Sequence, residues 1–154
     1  IAPLGRVGAG AGATVSKWRG KEFSELGGLG GATLREGNLI VSCLIAVNAS
    51  GDIDFGEYPD KIRDGHFSIP KVNPFENTTI GVVATNAKLT KSECFLVSQS
   101  AHDGYARALF PAHTSGDGDA VVVAATGKVP TEMSTIRSLT TLTVETAIKS
   151  IANE

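Results

Sequence analysis

The run Leu39-Ile40-Val41-Ser42-Cys43-Leu44-Ile45-Ala46-Val47 is the longest apolar stretch of the chain. It is rich in β-branched residues and closes on Asn48-Ala49-Ser50-Gly51, a cluster of turn formers. Such a run reads as a strand covered on both faces. It is too short to span a bilayer as a helix, so it needs a protein core to enter. The 154 residues are enough for one domain with such a core. With 42% hydrophobic and 19% charged residues, the composition is that of a globule and excludes intrinsic disorder. Fourteen Lys and Arg against sixteen Asp and Glu leave a formal charge of −2. That balance lacks the basic footprint of a nucleic-acid binder. Cys43 and Cys94 both lie in apolar segments. They read as buried free thiols in a reducing, cytoplasmic setting.

The remaining pattern is α+β. Residues 13–47 read as three antiparallel strands, with Lys17 on an early one beside Trp18. Residues 51–76 hold little periodicity, and an excursion of that length is expected to be a functional or mobile loop. A strand is expected over Thr78–Thr85 and another over Ala120–Ala125. Between them Thr90-Lys91-Ser92-Glu93 forms a capping box, in which hydroxyl and carboxylate satisfy the first free N–H groups of a helix. The helix has an apolar face of Cys94, Val97, Ala101, Tyr105 and Ala108 and stops at Pro111. Leu139, Leu142, Ile148 and Ile151 mark a closing helix. The glycine-rich opening, Gly5 to Gly12, lacks both a preceding strand and a Gly-Lys-Ser/Thr ending, so it reads as a loop rather than a phosphate cradle. The start, Ile1-Ala2-Pro3-Leu4, has no Met and no targeting signal, and resembles the interior of a longer polypeptide.

Two constellations could carry chemistry. Thr78 stands where the long polar segment meets an apolar strand. A cut before it would give one residue both a nucleophilic hydroxyl and a basic amine, although strand propensity alone also places Thr there. Asp117-Gly118-Asp119 precedes the second strand. Its carboxylates could orient a hydroxyl and an ammonium, or form a plain turn; the further ligands of a calcium loop are missing. His102 and Asp103 are adjacent on a helix and do not face each other. His66 and His113 have no Cys or His at metal spacing.

Asn77-Thr78-Thr79-Ile80-Gly81-Val82-Val83-Ala84-Thr85-Asn86-Ala87, followed by Pro111-Ala112-His113-Thr114 and Asp117-Gly118-Asp119, resembles the self-processing hydrolases of the L-aminopeptidase/D-esterase group. In motif it is similar to their nylon-oligomer endohydrolase branch, whose nucleophile is threonine. The resemblance implies a four-layer α/β/β/α sandwich of N-terminal nucleophile hydrolase type, with this chain its C-terminal part. It implies self-cleavage between Asn77 and Thr78, so that 1–77 ends a large subunit with its linker and 78–154 is a small subunit. Thr78 would then be the nucleophile, with Asp117 and Asp119 orienting its hydroxyl and amine. Asn48 would hold the oxyanion and Lys17 would line the site. The activity implied is hydrolysis of peptides or other linear amides without cofactor or metal. The partners implied are a peptide or small amide substrate, the rest of the protomer and further copies in a homo-oligomer, with neither nucleic acid nor membrane. The alternatives are an acyltransferase similar to the ornithine acetyltransferases and a non-catalytic oligomeric scaffold.

Overall fold

The apolar run forms strand β4 (Leu39–Val47) of a four-stranded sheet whose other members are β3 (Gly28–Glu36), β6 (Ile80–Ala87) and β8 (Ala120–Val129). The computed structural model describes residues 3–58, 63 and 77–153. Most of the 51–76 excursion, with His66, lies outside the described residues. The sheet order is β3-β4-β6-β8, antiparallel across the first two junctions and parallel between β6 and β8. Two small ribbons flank it: β1 (Thr14–Val15) with β2 (Glu25–Leu26), and β5 (Asp52–Ile53) with β7 (Leu109–Phe110).

Helices α1 (Lys91–Ala108) and α2 (Met133–Ser150) pack against each other and cover one face of the sheet. The crossover through α1 is what lets β6 and β8 run parallel. Alternate residues of the strands (Val41, Cys43, Ile45, Val47 and Val83) meet Val97, Ala101, Tyr105, Ile136, Val144 and Ile148 in one core. Burying each large aliphatic there stabilises by about 1.5–3 kcal/mol. The capping box is present: the Thr90 hydroxyl accepts from the Glu93 amide, and the Glu93 carboxylate accepts from the Thr90 amide.

Several expectations change in detail. Lys17 lies in a single 3-10 turn (Lys17–Arg19), not on a strand. Thr78 precedes β6, which starts at Ile80, and residues 13–47 hold four strands, two of them only two residues long. Ser100 and Gly104 join the buried face of α1, while Cys94 is only half-buried. On α2 the seam is Ile136, Thr140, Thr143, Val144, Ala147 and Ile148, and Leu142 is exposed. Threonine can enter such a seam because its hydroxyl bonds the preceding turn, as Thr143 does to the Leu139 carbonyl at 2.7 Å.

The other sheet face is largely uncovered among the described residues, and on that side of β4 Leu44 is exposed although Ala46 is buried. Leu44, Val82 and Val122 lie in register across three strands and are 38%, 41% and 67% exposed. Leu4 reaches over this face beside Gly31 and Leu44, above an apolar hollow lined also by Cys43 and Ala84. The described residues thus show one helical layer on one four-stranded sheet, flanked by the two ribbons. No helix among the described residues is long and apolar enough to cross a membrane.

Candidate active site

Thr78 stands at the joint between β4, β6 and β8. Its amide donates to the Asn48 carbonyl at the end of β4 (2.9 Å), which fixes its backbone. The parallel pairing of β6 with β8 continues past the named strands into a bridge between Asn77 and Asp117. Through that extension the Gly118 amide donates to the Asn77 carbonyl at 2.9 Å. The Thr78 hydroxyl donates to the same oxygen at 2.6 Å. A side chain at position 118 would put its Cβ 2.8 Å from the Thr78 Oγ, so glycine keeps that oxygen clear.

Asn48 is held by two donors. Its Oδ1 accepts from the Thr14 amide at 3.1 Å and from Lys17 Nζ at 2.9 Å. Both neighbours can only donate, so the carboxamide oxygen must face them and the amide nitrogen must face away. Asn48 and Thr78 share a cavity of about 310 Å³ lined also by Ala9, Gly12, Ala13, Ala46 and Ile80. The glycine-rich opening therefore forms one wall of this space.

The carboxylates do not bond Thr78 itself. Asp119 Oδ1 accepts from the Thr79 amide at 2.8 Å, so it positions the nucleophile candidate through the next residue. Asp117 takes the Ser50 amide (3.0 Å) with one oxygen and the Thr114 amide and hydroxyl with the other. It ties the loop before β8 to the loop after β4. The structure brings the five residues implied by the resemblance to one region, but their contacts are more indirect than an orienting role for both Asp residues suggests.

His113 is a neighbour that sequence reasoning left in a loop. Its Nδ1 lies 2.8 Å from Asp119 Oδ2 and its Nε2 faces the His102 carbonyl at 3.4 Å. The ring stacks on Tyr105 (centroids 5.8 Å apart) and meets His102 edge-on at 4.9 Å. The bond to Asp119 holds the His113 pKa above the ordinary histidine value despite partial burial. Burial, and then the nearby His113, push His102 down. Burial also raises the Tyr105 hydroxyl, which has no hydrogen-bond partner among the described residues. No local spacing could have paired His113 with Asp119, because the turn around Asp117 creates the contact. Cys43 is buried, with its thiol pushed up to about 12, and is no nucleophile. No group of three or more His, Cys, Asp or Glu able to hold a metal ion occurs among the described residues.

Comparison with known proteins places this arrangement. Peptidase family S58 matches residues 2–154. The chain belongs to that family. It is 35% identical over 144 residues to an uncharacterized aminopeptidase of Mycobacterium leprae, covering 82% of this chain and 38% of that protein. It is 27% identical over 174 aligned positions to the 6-aminohexanoate-oligomer endohydrolase of Paenarthrobacter ureafaciens, covering 99% and 48%. Among solved structures, a Burkholderia sp. beta-aminopeptidase superposes with a TM-score of 0.71 at 23% identity, over 98% of this chain and 46% of that one. The L-aminopeptidase D-Ala-esterase/amidase of Ochrobactrum anthropi, described as a variant of the Ntn hydrolase fold, gives 0.63 at 16% identity, over 96% and 44%. The fold is therefore of Ntn hydrolase type and the class α+β. The S58 chain spans less than half the length of each of these four proteins.

Proposed function

We propose that this protein is a self-processing amide hydrolase, of the aminopeptidase and amidase kind, that cuts its Asn77–Thr78 bond and then uses Thr78 as an N-terminal nucleophile. The observation that carries the reading is the Thr78 hydroxyl set 2.6 Å from the Asn77 carbonyl oxygen. The oxygen that must attack is already held against the group to be attacked. The cut divides the chain into 1–77, the end of a large subunit, and 78–154, a small one.

After the cut the Thr78 nitrogen becomes an α-amine with an ordinary pKa of about 8. It can take the hydroxyl proton as general base near neutral pH. A substrate carbonyl in the cavity beside Thr78 meets the Asn48 amide nitrogen, whose orientation Lys17 and Thr14 enforce. That donor stabilises the developing oxyanion. Asp119 and Asp117 hold the surrounding backbone in place. The substrate class is peptides or other linear amides, in keeping with the aminopeptidase and oligomer-endohydrolase names of the relatives. The apolar row of Leu44, Val82 and Val122 is where the second sheet of a four-layer sandwich, contributed by the rest of the protomer, would pack. Assembly into a homo-oligomer is part of the same proposal.

Intact mass and N-terminal sequencing of the purified gene product test the reading. A fragment beginning at Thr78, lost in Thr78→Ala, is expected, together with amide hydrolysis that needs no added amine acceptor. A chain that stays whole under all conditions refutes it. Dependence on an amine acceptor would point to the acyltransferase instead.

A further inference from the structure

Asn77 and Asp117 lie beyond the ends of β6 and β8, yet their pairing keeps the register of those strands and sets the Gly118 amide on the Asn77 carbonyl. The sheet ladder by itself accounts for the Gly118 amide meeting the Asn77 carbonyl. It does not account for the Thr78 hydroxyl donating to that same oxygen, nor for the clearance that only glycine leaves at position 118. The cavity shared by Thr78 and Asn48 does not include Gly118 among its lining residues.

We infer that the Gly118 main-chain N–H is the oxyanion donor of the self-cleavage step, distinct from the Asn48 amide that serves substrate turnover. The inference rests on the self-processing reading above. In the step, the Thr78 Oγ forms a bond to the Asn77 carbonyl carbon, and the carbonyl π electrons move onto its oxygen. The hydroxyl, until then a second donor to that oxygen, gives up its proton, so Gly118 N–H remains to meet the new negative charge. The Asn77–Thr78 C–N bond then breaks, the proton lost from Oγ ends on the Thr78 nitrogen, and an ester links the two residues. Water hydrolyses the ester, leaving the Asn77 carboxyl group and a free Thr78 hydroxyl. The continued β6–β8 pairing thus supplies a preorganised donor at the one carbonyl that must be attacked.

The test replaces the amide nitrogen of residue 118 by oxygen, through incorporation of glycolic acid in cell-free translation of the whole gene product. Cleavage at Asn77–Thr78 is expected to slow by about 10²–10³-fold, the usual effect of losing one oxyanion donor. A pre-cut form, made by co-expressing the two pieces with the second starting at Thr78 after removal of its initiator Met, should lose less than about tenfold in turnover with the same replacement. Cleavage of the ester variant at close to the wild-type rate would overturn the inference, as would equal losses in cleavage and pre-cut turnover. A wild-type chain that never cuts would instead bring down the self-processing reading, and the inference with it. A second measurement does not depend on cleavage. In an uncleavable Thr78→Ala chain carrying ¹³C at the Asn77 carbonyl, the stretching frequency should rise when the 118 amide becomes an ester. An unchanged frequency overturns the inference.

Discussion

Replacing His113 by Asn isolates the charge at the back of the site from its geometry. His113 adopts a positive φ of 52°, a conformation that Asn tolerates better than most residues. The Asn amide can also donate where the imidazole Nδ1 meets Asp119 Oδ2 at 2.8 Å. What is lost is the titrating charge. The Asn amide would still bond a carboxylate, so what protonated His113 adds is the ion-pair attraction alone, on the order of 1 kcal/mol. The His113 side chain is 36% exposed against 6% for Asp119, so solvent screening lowers the expected difference to roughly 0.5–1 kcal/mol. Because the folded His113 pKa is raised, chiefly by Asp119, this stability is fully present below the unfolded value of about 6.5. It is lost as pH rises through the folded value. Urea unfolding of wild type and His113→Asn at pH 5.5, 7 and 9 should therefore give a gap that is widest at pH 5.5 and closes upward. His102, depressed by burial, titrates in the opposite sense in both proteins and largely cancels in the difference. A gap that is flat with pH, or that widens toward pH 9, would refute the assignment of a charge-assisted His113–Asp119 bond.

The core offers three further tests. Gly104→Ala would put a Cβ 2.8 Å from the Thr141 carbonyl oxygen and 2.8 Å from Val144 Cβ, at the crossing of the two helices. Overpacking of about 1–3 kcal/mol exceeds the roughly 1 kcal/mol gain in helix propensity, so unfolding should show a net loss of about 1 kcal/mol; a more stable Ala variant would contradict the close crossing. Thr79 is fully buried and its hydroxyl has no partner among the described residues, so the isosteric Thr79→Val should stabilise by about 1 kcal/mol, or about 2–4 °C in Tm. A fall in Tm would mean that the hydroxyl is satisfied. Half-buried Cys94 should alkylate in the native protein, whereas buried Cys43, with its raised pKa, should react only on unfolding, as mass spectrometry of iodoacetamide-treated protein can check.

What was legible in the sequence were the elements specified locally. The β4 run, the Thr90 capping box and the two strands either side of α1 follow from periodicity and capping chemistry, and the structure contains them. On α2, Ile148 is buried and Leu139 packs against the core as expected, but Leu142 is exposed while the less apolar Thr140 and Thr143 are buried. Burial there follows the approach of α1 at Gly104, where small side chains fit. Lys17 was assigned to a strand by alternation, but the chain bends in a 3-10 turn after Ser16, whose φ is 65°. At the site, the motif around Thr78 and Asp117-Gly118-Asp119 marks residues that the structure brings together. Some of the partners that give them geometry come from far away in sequence, as Lys17–Asn48 (31 residues apart) and Ser50–Asp117 (67 apart) do. Such pairings are products of sheet register, which no local spacing records.

The position of the Asn77–Thr78 bond in the sheet order also bears on how the proposed mature form would come apart. β3 and β4 precede the Asn77–Thr78 bond, whereas β6, β8 and both helices follow it. A cut there makes the β4–β6 junction a seam between two polypeptides, and it makes the packing of α2 over β3 and β4 an intermolecular contact. Folding before the cut is unimolecular; reassembly after it is bimolecular and falls with dilution. Maturation would then act as a ratchet: the fold is reached once as a single chain, and a denatured, matured sample recovers its activity only at concentrations where the two pieces find each other again.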